Sequence, residues 1–270
     1  VTIYDGDDPD LPMWMVFNLG SSFMINAAGT NRVLAAVSAL NAKLVTPLKS
    51  GANNGTIIID FIEDFGFEIN QGAQRYGVQN KTISERNVNA TSFVNFDLTN
   101  VLVSIGSNND VAMTVLPNAP IDAATGLPVP TIAVATDGGV SVIKDDGTVV
   151  DFAQSVGGGP ISIGEDGIVY VGRTTLSTCV IYGFNMPSAD ISTQDYYYAD
   201  SQVPKIGGAV SGGVVQDVVR TGDASLSYAY NNHFGNISEV REELTRGMIS
   251  KVTSTYNTGW MNGDIKLATL

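Results

Sequence analysis

The sequence predicts an all-β protein built from repeated four-stranded antiparallel sheets. Three observations predict it: four short strands in succession between Asp110 and Phe152, Asp-Gly turns that join them, and a looser recurrence of the same rhythm along the 270 residues. Asp-Gly dipeptides tolerate the positive φ that a tight hairpin requires. A meander with such short connections is typical of one blade of a β-propeller.

The strands of this meander follow from alternation and turn chemistry. In the first strand, Val111 and Met113 fall on one face of the pleat, and Ala112 and Thr114 fall on the other. A proline-bounded loop follows, because proline removes a ladder donor and is excluded from the middle of a sheet. The remaining three strands are predicted at Thr131–Thr136, Val140–Lys144 and Thr148–Phe152.

The same rhythm recurs on both sides of the meander. We predict further strands at Val33–Leu40, Lys43–Thr46, Thr56–Phe61, Ile161–Ile163, Ile168–Val171, Thr178–Phe184, Val214–Arg220 and Ala224–Tyr230. The pattern gives about five units of roughly 45 residues, a spacing typical of propeller blades. The prediction is a single β-propeller-like domain over residues 1–270, with another repetitive antiparallel β-sandwich as the alternative. We expect it to be part of a longer chain, because the sequence begins at Val1 rather than at a methionine.

Two segments fit this rhythm less well. Ser238–Val252 carries apolar residues at helical spacing, but Gly247 stands in its interior and the residues after it favour a strand. We therefore predict a strand after Gly247 and leave the first half open. Gln71–Asn95 is polar and is predicted to form a long hairpin or a surface insertion.

Charge excludes two classes of partner. The formal net charge is −13, so the phosphates of a nucleic acid or an anionic membrane surface would be repelled over most of the molecule. No apolar run approaches the roughly 20 residues that a membrane-spanning helix requires. We expect neither nucleic-acid binding nor membrane insertion.

Single residues offer little for catalysis. Cys179 lies in an apolar run and is expected to be a small buried residue, and His233 is placed in a loop. One histidine cannot supply a zinc site of histidine ligands, and nothing in the sequence brings Cys179 and His233 together as a dyad. We predict no catalytic residue, no cofactor and no metal site.

Carboxylates give no better candidate. The acidic turn Asp5–Asp10 only partly resembles a calcium loop, because it lacks the glycine at the required position and the closing glutamate. The pairs Glu63-Asp64 and Glu242-Glu243 are adjacent residues, which point to opposite faces of a strand and do not form an acid–base pair by themselves. A solvated acidic surface accounts for these residues.

The run Tyr196, Tyr197 and Tyr198, flanked by Asp195 and Asp200, is the best candidate for a recognition surface. Tyrosine combines a flat apolar face with a polar tip, which suits contacts with a sugar or a protein. The alternative is an edge strand whose side chains alternate between core and solvent.

Three segments resemble the propeller-like region of virion appendage proteins, similar to tail fibres, from marine tailed bacteriophages. They are Asp8–Phe17, Asn109–Asp151 and Tyr256–Lys266, which follow the same order along the chain, and the middle segment is the most specific. The region Ile62–Ser107 departs from that pattern. In such proteins a concanavalin A-like lectin module often follows, and no catalytic residue is carried over by the resemblance.

The resemblance implies a non-enzymatic structural module of an extracellular virion, which presents or forms a host-adhesion surface. The implied partners are other virion proteins and a host cell-surface glycan or protein, and a homo-oligomer is expected. Two alternatives remain open from the residues: a glycan-binding module that uses Tyr196–Tyr198, and a glycan-degrading hydrolase with two converging carboxylates.

Overall fold

The computed structural model describes most of the chain between Thr2 and Lys251. The described residues are 2–4, 6–10, 13–16, 33–49, 55–62, 65–70, 74–79, 94–97, 107–123, 125–153, 158–173, 180–199, 215–220, 225–230, 233–238 and 247–251. Within these ranges every regular element is a β-strand, and no helix there is long and apolar enough to cross a membrane.

The described strands are numbered in chain order. They are β1 (Thr2–Tyr4), β2 (Met13–Val16), β3 (Val33–Leu34), β4 (Ser38–Leu40), β5 (Lys43–Lys49), β6 (Gly55–Asp60), β7 (Phe65–Asn70), β8 (Gln74–Gln79), β9 (Val94–Asp97), β10 (Asn108–Thr114), β11 (Thr131–Thr136), β12 (Gly139–Ile143), β13 (Val149–Ala153), β14 (Gly158–Ile163), β15 (Ile168–Arg173), β16 (Val180–Asn185), β17 (Tyr196–Ala199), β18 (Val215–Arg220), β19 (Ser225–Tyr230), β20 (His233–Ser238) and β21 (Gly247–Lys251).

These strands form antiparallel sheets in sequential order. Strands β3 to β9 make a seven-stranded sheet, which we call sheet I, and three four-stranded meanders follow: sheet II (β10–β13), sheet III (β14–β17) and sheet IV (β18–β21). Strands β1 and β2 pair separately. The prediction of an all-β fold with repeated four-stranded antiparallel sheets is confirmed.

Sheet II is the meander predicted between Asp110 and Phe152, with each strand within two residues of its predicted position. Its turn at Asp146-Gly147 places Gly147 at φ +81°, and Thr148 donates its N–H to Asp146 Oδ1 at 2.9 Å. Sheet III repeats this turn between β14 and β15, where Gly167 has φ +78° and Ile168 N donates to Asp166 Oδ1 at 3.1 Å. Glycine reaches this backbone conformation without the steric cost of a Cβ atom.

Sheet I and the C-terminal strands modify the sequence-based picture. Sheet I has seven strands rather than four, because β7 pairs with β6 and the sheet then continues through β8 and β9. Strands β8 and β9 begin within the polar stretch Gln71–Asn95 and pair with each other in antiparallel fashion, as in the predicted hairpin. The strand predicted after Gly247 is confirmed as β21. The prediction that His233 lies in a loop is wrong, because His233 begins β20 and pairs with both Tyr230 and Lys251.

The sheets stack face to face, with a buried core between each neighbouring pair. Between sheets I and II lie Val45, Ile58, Ile69, Val111, Ile132 and Val134. Sheets II and III enclose a larger cluster, whose biggest members are Phe152, Phe184 and Tyr182, and sheets III and IV enclose one that includes Tyr170, Ile181, Val218 and Leu226. Burial of these side chains is the main stabilising contribution to the stack.

The first strands of sheets II, III and IV lie side by side. Ile161 N of β14 donates to Asp110 Oδ2 of β10 at 2.9 Å, and Arg220 N of β18 donates to Ser162 Oγ of β14 at 2.8 Å. Each first strand also has a register irregularity near its start, such as the one between Asn108 and Asp110. Neighbouring first strands with sheets fanning outward are the arrangement of blades in a β-propeller.

The outer edge of sheet II is covered by its neighbour. In the segment between β16 and β17, Ile191 N donates to Asp151 O at 2.8 Å and Ile191 O accepts from Ala153 N at 2.9 Å. This parallel bridge pairs Ile191 with Phe152 of β13. Covering an outer strand in this way protects it from pairing with other chains.

Candidate recognition surface

The three predicted tyrosines form most of β17, the outer strand of sheet III. Tyr196, Tyr197 and Tyr198 pair with Gly183, Tyr182 and Ile181 of β16. Because successive side chains of a strand point to opposite faces, Tyr196 and Tyr198 share one face and Tyr197 occupies the other. The run is therefore divided between two different environments.

Tyr196 and Tyr198 face sheet IV and pack against the core between sheets III and IV. The ring of Tyr196 lies 6.2 Å from that of Tyr170, at an interplanar angle of 37°. Gly183 stands between these rings in the sheet, and a Cβ atom there would lie 2.6 Å from a ring carbon of Tyr170. These two tyrosines thus hold β17 onto the core, as the edge-strand alternative predicts.

Tyr197 lies on the opposite face and is 43% exposed. Its ring meets that of Tyr182 edge-on, with centroids 5.5 Å apart and an interplanar angle of 62°. Tyr182 is only 6% exposed and belongs to the core between sheets II and III. An exposed ring is therefore supported from beneath by a fixed aromatic side chain.

Arg173, at the end of β15, is half-buried and contacts Tyr182 from the side of β16 opposite β17. Its Nη1 atom donates a hydrogen bond to Tyr182 Oη at 3.3 Å. We call Arg173, Tyr182 and Tyr197 the tyrosine–arginine patch. The patch combines a flat apolar ring with a guanidinium group, the donor best matched to carboxylates.

Sequence reasoning named Tyr197 as one of three candidate tyrosines and did not name the other two members of the patch. Arg173 and Tyr182 are nine residues apart, and they meet because β15 and β16 pair with Val171 opposite Tyr182. The alternation of β15 would have placed Arg173 on the face of Val171. Its contact with Tyr182, however, depends on the register between the two strands.

Asp195, predicted to flank the tyrosines as part of the surface, has a structural role. Its Oδ2 accepts hydrogen bonds from the backbone N and the side-chain Nδ2 of Asn185, both at 2.8 Å. Its own N–H donates to Gly183 O at 2.9 Å. These bonds close the connection between β16 and β17, and Asp200 lies outside the described residues.

The other candidates do not converge on a site. Of the acidic N-terminal turn, Gly6–Asp10 is described and exposed, with Asp10 N donating to Asp8 Oδ1 at 2.9 Å. Among the described residues no group of three or more His, Cys, Asp or Glu side chains is placed to hold a metal ion. Cys179, Glu63-Asp64 and Glu242-Glu243 lie outside the described residues.

Asp110 has an unusual electrostatic environment on the first strand of sheet II. Burial raises the pKa of this carboxyl above its ordinary value of 3.8, and the nearby charge of Asp217 raises it further. Hydrogen bonds from Ile161 N and Val111 N oppose the increase in pKa because they stabilise the carboxylate. The group links two sheets, which gives it a structural role.

Comparisons with known proteins bear on the fold alone. No family model matches the chain, and no curated protein matches it. Among solved structures of β-propeller proteins, the chain is similar to a streptogramin B lyase, with a TM-score of 0.37, 10% identity, and coverage of 87% of this chain and 56% of the lyase. It is also similar to Hsv2p from Kluyveromyces lactis, with a TM-score of 0.35, 10% identity, and coverage of 76% and 67% of the two chains.

A third similar structure is a catalytically inactive virginiamycin B lyase from Staphylococcus aureus with quinupristin, with a TM-score of 0.34 and 7% identity. The match covers 84% of this chain and 86% of that lyase. The chain spans just over half the length of the streptogramin B lyase. At these TM-scores the description of the fold rests on the strand order and the contacts between sheets given above.

Proposed function

We propose that this chain is a non-enzymatic structural module of a tailed-phage virion appendage, and that it presents a surface for adhesion to the host. The resemblance of Asp8–Phe17, Asn109–Asp151 and Tyr256–Lys266 to such proteins motivates the virion assignment. The stack of sheets supports it, because a rigid β scaffold positions exposed groups for binding without itself moving.

The tyrosine–arginine patch carries the adhesion part of the proposal. Tyr197 is 43% exposed although its neighbours on β17 pack against the core, so an apolar ring is held at the surface at low entropic cost. The ring of Tyr197 suits stacking against a sugar, and Arg173, which hydrogen-bonds to the adjoining Tyr182, suits a carboxylate. We propose a host glycan that bears carboxylate groups as the ligand class.

The virion assignment is tested on purified phage particles whose genome encodes this sequence. We expect peptides of the chain in the particles by mass spectrometry, and antibody labelling of a tail appendage in electron micrographs. Absence of the chain from purified particles of an infecting phage would contradict the assignment. Cryo-EM of the same particles would then give its number of copies and its partners.

The adhesion surface is tested by glycan-array binding of the purified chain and of the variants Tyr197→Ala and Arg173→Gln. Loss of a stacked ring is expected to weaken binding by roughly fivefold to tenfold, because such a contact is worth about 1–1.5 kcal/mol. Tyr4→Ala is the matched control, since Tyr4 is 55% exposed and belongs to the separate β1–β2 pair.

Equal binding by the wild type and the Tyr197→Ala variant would refute the role of the patch.

The absence of hydrolase activity is tested separately. The same glycans are incubated with the chain and analysed for shortened products by mass spectrometry. Cleavage would contradict the non-enzymatic proposal and would favour the hydrolase alternative.

A further inference from the structure

The tyrosine–arginine patch extends across three strands of sheet III. Tyr197 of β17 pairs with Tyr182 of β16. Tyr182 in turn pairs with Val171 of β15, and Arg173 follows two residues later on that strand. Paired residues share a face of a sheet, and so do residues two apart in a strand. The aromatic group and the guanidinium group of the patch therefore lie on one face but on strands that are not neighbours.

The separation between these two groups exceeds the reach of one acidic sugar. Neighbouring strands lie about 4.8 Å apart, so the backbones of Tyr197 and Arg173 are roughly 10 Å apart across the sheet. The guanidinium group reaches back to Tyr182 Oη, to which Arg173 Nη1 donates at 3.3 Å. The ring of Tyr182, 5.5 Å from that of Tyr197 between centroids, stands between the two groups. The carboxylate of an acidic sugar is bonded directly to its own ring, so a sugar stacked on Tyr197 leaves Arg173 to the next sugar.

Arg173 contacts no carboxylate within the part of the chain that the structure describes. Its hydrogen bond there is to the phenolic hydroxyl of Tyr182, and its Nε atom is buried without an acceptor. Arg220, by contrast, forms an ion pair with Asp166. The sequence contains 27 acidic and 14 basic residues, so carboxylates are abundant in this protein. An arginine placed apart from them retains its charge for a carboxylate of a ligand.

The charge of the whole chain restricts the kind of acidic ligand. A net charge of −13 repels a dense polyanion from the molecule as a whole. A single carboxylate on an otherwise neutral glycan experiences less of this repulsion and still gains the contact with a guanidinium group. Both conditions favour a glycan in which an acidic sugar is joined to an uncharged one.

We propose that the tyrosine–arginine patch binds two adjoining sugars of one glycan, an uncharged sugar stacked on Tyr197 and an acidic sugar whose carboxylate pairs with Arg173. This inference rests on the proposed adhesion function and adds the minimum length and the charge pattern of the ligand. Tyr182 is a positioning residue, because its ring supports Tyr197 and its hydroxyl holds the guanidinium group. Arg173 sets the preference for acidic over neutral glycans.

The test is a titration of three sets of sugars with the purified full chain, followed by NMR of the sugar protons. The first set contains disaccharides of glucuronic, galacturonic or N-acetylneuraminic acid joined to a neutral hexose. The second set is the same disaccharides with the carboxylate reduced to an alcohol, and the third is the three free acids. We expect at least one acidic disaccharide to bind about tenfold more tightly than its reduced form, through a charge-assisted hydrogen bond. Its free acid should bind at least about tenfold more weakly, because it reaches only one of the two groups.

Three variants assign the contacts. Arg173→Gln should lower the affinity for that acidic disaccharide about tenfold and leave the affinity for the reduced form unchanged. Tyr182→Phe keeps the ring but removes the hydroxyl, so it should weaken the preference for the acidic form roughly threefold without changing binding of the reduced form. Lys144→Gln is the matched control, since it removes the same charge at the turn between β12 and β13 and should change neither affinity.

Three results would overturn the inference. Equal affinity of the wild type for every acidic disaccharide and its reduced form would exclude the carboxylate contact. A free acid that binds as tightly as its disaccharide would place both contacts on one sugar. A preference for the acid that persists in Arg173→Gln would assign the carboxylate to another residue. If the reduced disaccharides still bind the wild type and lose affinity in Tyr197→Ala, the proposed adhesion surface survives these results, whereas a wild type that binds no sugar of any set contradicts both proposals.

Discussion

Phe152 is the side chain whose removal should most directly test the packing of sheet II against sheet III. It is 1% exposed, and its ring stacks on that of Phe184 with centroids 4.7 Å apart and an interplanar angle of 28°. Tyr182 lies 6.4 Å away on the same side. Phe152→Ala removes the ring and leaves a cavity, which typically costs about 3–5 kcal/mol of unfolding free energy. Since domains are stable by roughly 5–15 kcal/mol, this loss is a large fraction of the total.

The assay is urea denaturation followed by circular dichroism, with the free energy of unfolding extrapolated to water. The double variant Phe152→Ala and Phe184→Ala completes a cycle, in which we expect a coupling of about 0.5–1.5 kcal/mol from the stacked rings. Ile121→Ala is the control, because Ile121 is 62% exposed and should change stability by less than about 0.5 kcal/mol. A loss below about 1 kcal/mol for Phe152→Ala would refute the buried stack between the two sheets.

Three further predictions concern single backbone or carboxyl positions. Gly147→Ala should cost about 1 kcal/mol in urea denaturation, because Gly147 has φ +81° with open space around it, whereas the exposed Gly6→Ala should be nearly neutral. Gly158→Ala should destabilise the chain by at least about 1–3 kcal/mol in the same assay, since its Cβ would lie 2.3 Å from the carbonyl oxygen of Thr136, and retained stability would contradict this close approach. The raised pKa of Asp110 means that its contribution to stability is fully present below its ordinary value of 3.8 and is lost as the pH rises through the folded-state pKa. Asp110→Asn should therefore remove the pH dependence of the unfolding free energy that comes from Asp110. Parallel plots of unfolding free energy against pH for the wild type and this variant, between pH 3.5 and about 7, would contradict the prediction.

Local chemistry accounts for what sequence reasoning predicted. The strands of sheet II follow from period-two alternation and from turns such as Asp146-Gly147, where glycine adopts positive φ and the aspartate accepts the N–H two residues later. The strand after Gly247 was predicted from residues that favour a strand. These features act over a few residues, so they can be read without knowledge of the rest of the chain.

The seven strands of sheet I show where this reasoning fails. Strand β8 contains a glycine and several polar residues, and it forms because β7 on one side and β9 on the other supply its hydrogen-bond partners. His233 likewise reads as a loop residue next to two asparagines, yet its pairing with Tyr230 and Lys251 places it in a strand. Tertiary pairing outweighs weak local preference at both places.

The sequence by itself determined the fold class and the four strands of sheet II, because these depend on neighbours along the chain. Only the tertiary structure decided that Tyr196 is anchored against Tyr170 while Tyr197 meets Tyr182 and its partner Arg173. Strand register, stacking of sheets and the burial of a particular ring are set by contacts between residues far apart in sequence, and such contacts leave no local signal.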